Sequence, residues 1–103
     1  MGNYFIQTVD GKKAVKSLKE FEFRGEQFFL HISVDSRDVI KITHRQTGLG
    51  AGQVQRYESY RAVGMKRVER GKDALLGDAL FYLGRVPEDR FRAAIEQACS
   101  TEQ

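Results

Sequence analysis

Two histidines, one cysteine and one glycine-rich loop are the groups in this chain whose types could support chemistry. An imidazole titrates near neutrality, so His31 and His44 are candidate acids or bases. The strand register derived below puts them on opposite faces of a sheet, so they do not share a metal ion. No Cys, Asp or Glu cluster has metal-ligand spacing, and neither a metal nor a cofactor is expected. His31 is read opposite Glu20, as a solvated cross-strand pair. His44 is read at the rim of the apolar face. Cys99 has no CxxC partner and no second cysteine; it reads as a small packing residue on a helix flank. The loop Thr43 to Gly52, THRQTGLGAG, lacks the Lys-Ser/Thr of a phosphate-binding loop. No helix follows it in the frame of a dinucleotide fingerprint. Its amides could cradle a small anion; a hairpin turn and a bulge are the favoured account of its glycines. Nothing here specifies a reaction, and the expectation is a protein that is not an enzyme.

Charge offers a second kind of site. The formal net charge of +3 is uneven. Arg61 to Lys72 holds five basic residues and one acid, Glu69, whereas Asp73 onward holds three basic and six acidic residues. Lys12, Lys13, Lys16 and Lys19 form another basic cluster. Arg61, Lys66, Arg67 and Arg70 are therefore candidate contacts to nucleic acid or to an acidic protein surface. The modest net charge argues against strong nonspecific DNA binding. The aromatic-rich motifs of an RRM are absent.

The elements that must position these groups follow from composition and pattern. The 103 residues make one domain, with 41% hydrophobic content and seven Phe, enough for a core. No apolar run approaches the ~18 residues of a membrane span. The start MGNYFIQTVDGKK lacks the pattern of a signal peptide. The lone cysteine points to a reducing cytoplasm. Strands come first and helices second, which predicts an α+β fold: a four- to five-stranded antiparallel meander followed by three C-terminal helices on one face. Residues 1–57 form the sheet half and 58–103 the helical half.

Residues 3–9 read as a strand closed by Asp10-Gly11. Lys12 to Ser17 pairs back as a strand, with Val15 against Ile6, or begins a helical turn. Gly25-Glu26 suits a type II′ turn, pairing Phe23 with Phe28 and Phe21 with Leu30. One face then carries Phe21, Phe23, Phe28, Leu30, Ile32 and Val34. Ile40 and Ile42 must join it, which demands an odd-length loop, Ser36 to Asp38 or Asp35 to Val39. Gln46-Thr47-Gly48 turns the chain, and Leu49 to Gln55 returns as a glycine-weakened edge strand. Tyr60, Gly64, Val68, Gly71 and Leu75 recur every four residues, predicting a first helix capped by Ser59 and stopped at Gly71. A second helix runs from about Asp73 to Leu83, burying Leu75, Leu76, Ala79, Leu80 and Leu83. A third starts at Pro87 and buries Phe91, Ala94, Ile95 and Ala98.

The other sheet face becomes the candidate partner-binding surface: Glu20, Glu22, Phe29, His31, Lys41 and Arg45. Glu22 is read opposite Phe29, the one misplaced aromatic. An exposed Phe29 would anchor a protein partner; cover by Tyr4 or Phe5 is the structural alternative. Leu76, Leu80 and Tyr82 exceed what one sheet face covers, so monomer and homodimer both stay open.

Phe21, Phe23, Gly25, Phe28, Phe29, His31, Thr47 and Gly48 carry a resemblance over about a third of the chain. The stretch FRGEQFFLHISVDSRDVIKITHRQTGLG is similar to a pattern in small phage and mobile-element accessory proteins. That resemblance implies an anti-defence inhibitor that binds a host protein or nucleoprotein, such as a CRISPR effector. It transfers no functional residue. DNA or RNA binding, and binding of a small anionic ligand, are the alternatives.

Overall fold

The structure, a computed structural model, describes residues 4–8, 10–64 and 66–101. Eight strands lead into two helices among the described residues: β1 (Tyr4–Thr8), β2 (Gly11–Val15), β3 (Lys19–Phe23), β4 (Glu26–Ile32), β5 (Val39–His44), β6 (Gly50–Gln55), β7 (Tyr57–Val63), β8 (Lys66–Glu69), α1 (Lys72–Gly84) and α2 (Glu88–Thr101). The class is α+β, as expected. The meander is four-stranded, in the order β3-β4-β5-β6, and β1–β2 and β7–β8 are separate antiparallel hairpins. The ambiguous Lys12 to Ser17 segment thus pairs back as β2, with Val15 opposite Tyr4 and Lys13 opposite Ile6.

Two helices form, not three. The expected helix from Ser59 to Gly71 is the β7–β8 hairpin, in which Val63 pairs with Lys66. The four-residue spacing does not mark one continuous element: Tyr60 belongs to β7 and Val68 to β8, with Gly64 in the turn between them. Tyr57, Tyr60, Val63 and Val68 favour the strand, and Gly64, at φ 64°, supplies the left-handed residue the turn needs. Gly71 is then the N-cap of α1 rather than the end of a helix. Strand structure continues to Glu69, beyond the expected division at residue 57.

The central strands keep their expected faces with a two-residue change of register. Phe21 pairs with Phe28, Phe23 with Glu26 and Glu22 with Gln27. The turn is therefore Arg24-Gly25, with φ of 52° and 82°. Two positive φ values make a type I′ turn, not the expected II′. The strain at Arg24 is offset by its contacts. Its guanidinium donates to Val86 O at 2.9 Å and lies over the rings of Phe23 and Phe91. Ile32 pairs with Ile40 and Leu30 with Ile42. An odd number of residues separates the paired Ile32 and Ile40, as expected, but Val34 falls in the loop and is exposed rather than part of the apolar face.

That face is the core. Phe28, Leu30, Ile40 and Ile42 are almost wholly buried, each contributing roughly 1.5–3 kcal/mol of burial free energy. They pack against Leu75, Ala79 and Leu83 of α1 and Phe91 of α2. Leu76 is only half-buried, while Leu80 and Ala94 are exposed. The apolar stripes of both helices are thus narrower than expected.

Candidate binding cleft

The polar face of the sheet is roofed by the β1–β2 hairpin. Gly48 permits this approach. At φ 74° it has no side chain, and a Cβ there would stand 3.0 Å from Phe5 O. Gln7 N–H donates to Gly48 O at 2.8 Å. Tyr4 lies on Phe29 with ring centroids 4.9 Å apart, and Arg45 stacks over Tyr4 at 4.9 Å. Phe29 is consequently 0% exposed. The exposed anchor expected at Phe29 is not present, and cover by Tyr4 is the arrangement found.

The tip of the hairpin overhangs the far half of that face and leaves a cleft of about 920 Å³. His31, Ser33, Lys41 and Thr43 form the floor, and Gln7, Thr8, Asp10 and Lys13 contribute to the wall. Sequence reasoning singled out His31 and Lys41. Ser33 and Thr43 share that sheet face without having been singled out, and Gln7 and Thr8 were missed as cleft residues because only the docking of the hairpin brings them there.

His31 sits opposite Lys41, not Glu20; Glu20 sits opposite Phe29. The expected Glu20–His31 pair therefore does not form. The His31 ring is held from both ends. Nδ1 lies 3.0 Å from Ile32 O, and a carbonyl only accepts, so Nδ1 carries the proton. In the neutral ring Nε2 then accepts from the Thr43 hydroxyl at 2.8 Å. Burial lowers the His31 pKa below its ordinary value; the bond to Ile32 opposes this and nearby Lys41 adds to it. A hydroxyl beside an imidazole is half of a nucleophile–base pair. Here the ring's other nitrogen faces a carbonyl rather than a carboxylate, and Thr43 is 2% exposed.

His44 lies on the opposite face and has its own partners. Nε2 donates to Glu26 Oε1 at 2.8 Å, and Nδ1 is 2.9 Å from Thr47 Oγ1. It is a buried residue pinning the β5–β6 turn. Two amides of that turn are in use: Gly48 N–H donates to His44 O and Leu49 N–H to Thr47 Oγ1. The ladder is bulged between Ile42 and Thr43. Among the described residues no group of three His, Cys, Asp or Glu side chains is placed to hold a metal ion.

The remaining candidate residues are scattered. Glu22 accepts from Gln27 Nε2 at 3.0 Å. Glu20 pairs with Arg45 at 3.2 Å. Lys41 Nζ donates to Gln53 Oε1 at 3.0 Å. Arg67 pairs with Asp38 at 3.1 Å and Arg70 with Asp78 at 2.6 Å. They belong to a strand hairpin and its exit, not to a basic helix. The side chains of Arg61 and Lys66 lie outside the described ones. No described helix is long and apolar enough to cross a membrane.

Comparison with family models, with curated proteins and with solved structures returns no match.

Proposed function

We propose that this chain is a non-enzymatic protein-binding module that receives a polar segment of a partner in the cleft beneath the β1–β2 hairpin. The cleft carries the reading. Its volume is in the range of sites that enclose a ligand group. Lys41, Asp10 and Lys13 line it beside Ile6 and Val34, while the His31 ring and the Thr43 hydroxyl are bonded to each other. Groups of both signs suit a polar peptide better than a purely anionic ligand. Two amides of the glycine loop, those of Gly48 and Leu49, are spent on the turn, which disfavours an anion cradle there. An inhibitor of a host defence complex, the role implied by the resemblance to phage accessory proteins, is one form such binding takes.

Selection of a random peptide library on the immobilised chain tests this. Val34 is exposed and lines the cleft, so Val34→Trp narrows it without entering the core. Enriched peptides should lose at least ~10-fold in affinity on Val34→Trp, a change of ~1.4 kcal/mol. Peptides that bind both proteins equally, or no enrichment on the wild type, would overturn the proposal.

A further inference from the structure

β6 is an outer strand of the four-stranded sheet, and among the described residues no strand pairs with its far side. Natural edges are usually blunted by charge or proline. The β6 sequence GAGQVQ has neither. The direction of its backbone groups follows from bonds at both ends of the β5–β6 pair. Arg56 N–H donates to Asp38 O, and His44 N–H donates to Leu49 O. Even-numbered residues along β5 thus turn their amides toward β6. Ile40 pairs with Val54 and Ile42 with Gly52, so Val54 and Gly52 make the inward bonds. Alternation then leaves the N–H and C=O groups of Gln53 and Gln55 pointing outward.

A groove of about 590 Å³ follows this edge, with Tyr82 on one flank and Lys41 and Gln53 on the other. The Tyr82 ring is seated on Gly52, where a Cβ would come within 2.3 Å of it. Among the described residues lining the groove, Lys41 is the only charged one. Lys41 and Gly50 also line the cleft, so the two depressions adjoin.

We propose that the β6 edge accepts an extended segment of a partner protein as an added strand, with an acidic side chain of that segment against Lys41. Main-chain bonds to Gln53 and Gln55 hold the strand, and Lys41 selects for charge. A second copy of β6 meets the charge requirement poorly, because β6 has no acid to offer Lys41. The inference rests on the protein-binding reading and names the kind of segment bound.

The test is an amide NMR titration of the ¹⁵N-labelled chain with synthetic Thr/Val-alternating peptides about eight residues long. One carries a central Glu, one a central Lys, and one is the Glu peptide N-methylated at alternate residues. The Glu peptide should shift the Gln53 and Gln55 amides saturably. The Lys peptide should bind ~10-fold more weakly, and the N-methylated peptide should not bind. Lys41→Glu should reverse the preference between Glu and Lys. Gln53→Pro removes an outward N–H without taking a bond from β5, and should abolish binding. Equal affinity for the Glu and Lys peptides overturns the charge assignment. Shifts at Gln7 and His31 without shifts at Gln53 and Gln55 overturn the edge site and leave the cleft reading standing. Edge shifts that grow with chain concentration in the absence of peptide assign the edge to a second copy and overturn the proposal. Silence in this titration beside a successful peptide selection rejects the edge alone; failure of both rejects the reading beneath it.

Discussion

His31 is the residue at which the cleft's chemistry and the fold's stability meet. Its ring is buried, has a backbone carbonyl at one nitrogen and the Thr43 hydroxyl at the other, and lies opposite Lys41. Protonation would place a cation in a desolvated site near another cation, which is why its pKa is lowered from 6.5. The unfolded chain therefore takes up this proton at a higher pH than the folded one. The His31 contribution is fully present above 6.5 and is lost as pH falls from there through the lower folded value. Urea melts of the wild type and His31→Gln at pH 7.5 and 5.5 check this: the wild type should lose more stability on acidification than the variant. Equal losses would show that His31 does not couple to folding. Phe29 makes a second prediction at this scale. Phe29→Ala removes a ring wholly enclosed beneath Tyr4 and should cost about 3–5 kcal/mol in the same melts. A cost under ~1 kcal/mol would mean that the hairpin does not cover the ring in solution.

At the scale of elements, Gly52 and Tyr82 join α1 to the sheet. Gly52 has φ 153°, and a Cβ there would meet the Tyr82 ring. Tyr82 is partly exposed, so its ring can swing out. Gly52→Ala should then cost roughly 1–3 kcal/mol, measured by thermal melts. Gly52→Ala with Tyr82→Ala should recover the steric part and keep the backbone part. The β7–β8 hairpin depends on Gly64 in the same conformational sense. Gly64→Val should abolish amide-exchange protection in residues 57–69 while leaving β3 to β6 protected. Loss of protection across the whole sheet would show that the hairpin is not a separate unit. These elements also show which features are legible in the chain. The faces of β3, β4 and β5 are legible because alternation reports parity. Register is not, because a slip of two residues preserves parity, and Arg24-Gly25 competes with Gly25-Glu26 as a two-residue turn. Four-residue spacing from Tyr60 to Val68 reads as a helix, and it misleads because Gly64 turns the chain between two short strands, β7 and β8. Phe29 on a polar face fits an exposed anchor or a covered ring equally well in sequence, and only the docking of Tyr4 on it decides for the cover. The cleft was hidden, since it exists only where β1–β2 docks on Gly48, far away in sequence.

For the whole molecule the question is what a net charge of +3 can do when Arg56, Arg67 and Arg70 are already paired. Arg67 and Arg70 each face a carboxylate, Asp38 and Asp78, and Arg56 is bonded to Glu69 and to Arg37 O. A phosphate must displace these carboxylates before it gains an arginine. The pairs are partly exposed, so each holds its arginine by no more than ~1 kcal/mol. Their larger effect is on the field: each acid cancels, at short range, the charge that would attract a polyanion. The wild type should therefore bind duplex DNA weakly, with a shallow dependence on salt. Asp38→Asn with Asp78→Asn leaves similarly shaped side chains, frees Arg67 and Arg70, and raises the net charge. The affinity of this variant should rise at low salt. The slope of log affinity against log salt should steepen by about 2, roughly one counterion for each freed arginine. Fluorescence anisotropy with a labelled duplex between about 50 and 200 mM salt measures both quantities. A steep slope already present in the wild type would show that phosphate outcompetes Asp38 and Asp78, and would move the nucleic-acid reading ahead of protein binding. An unchanged slope in the variant would show that these arginines do not reach phosphate even when free, leaving the polar side of the sheet as the surface on which to look for the partner.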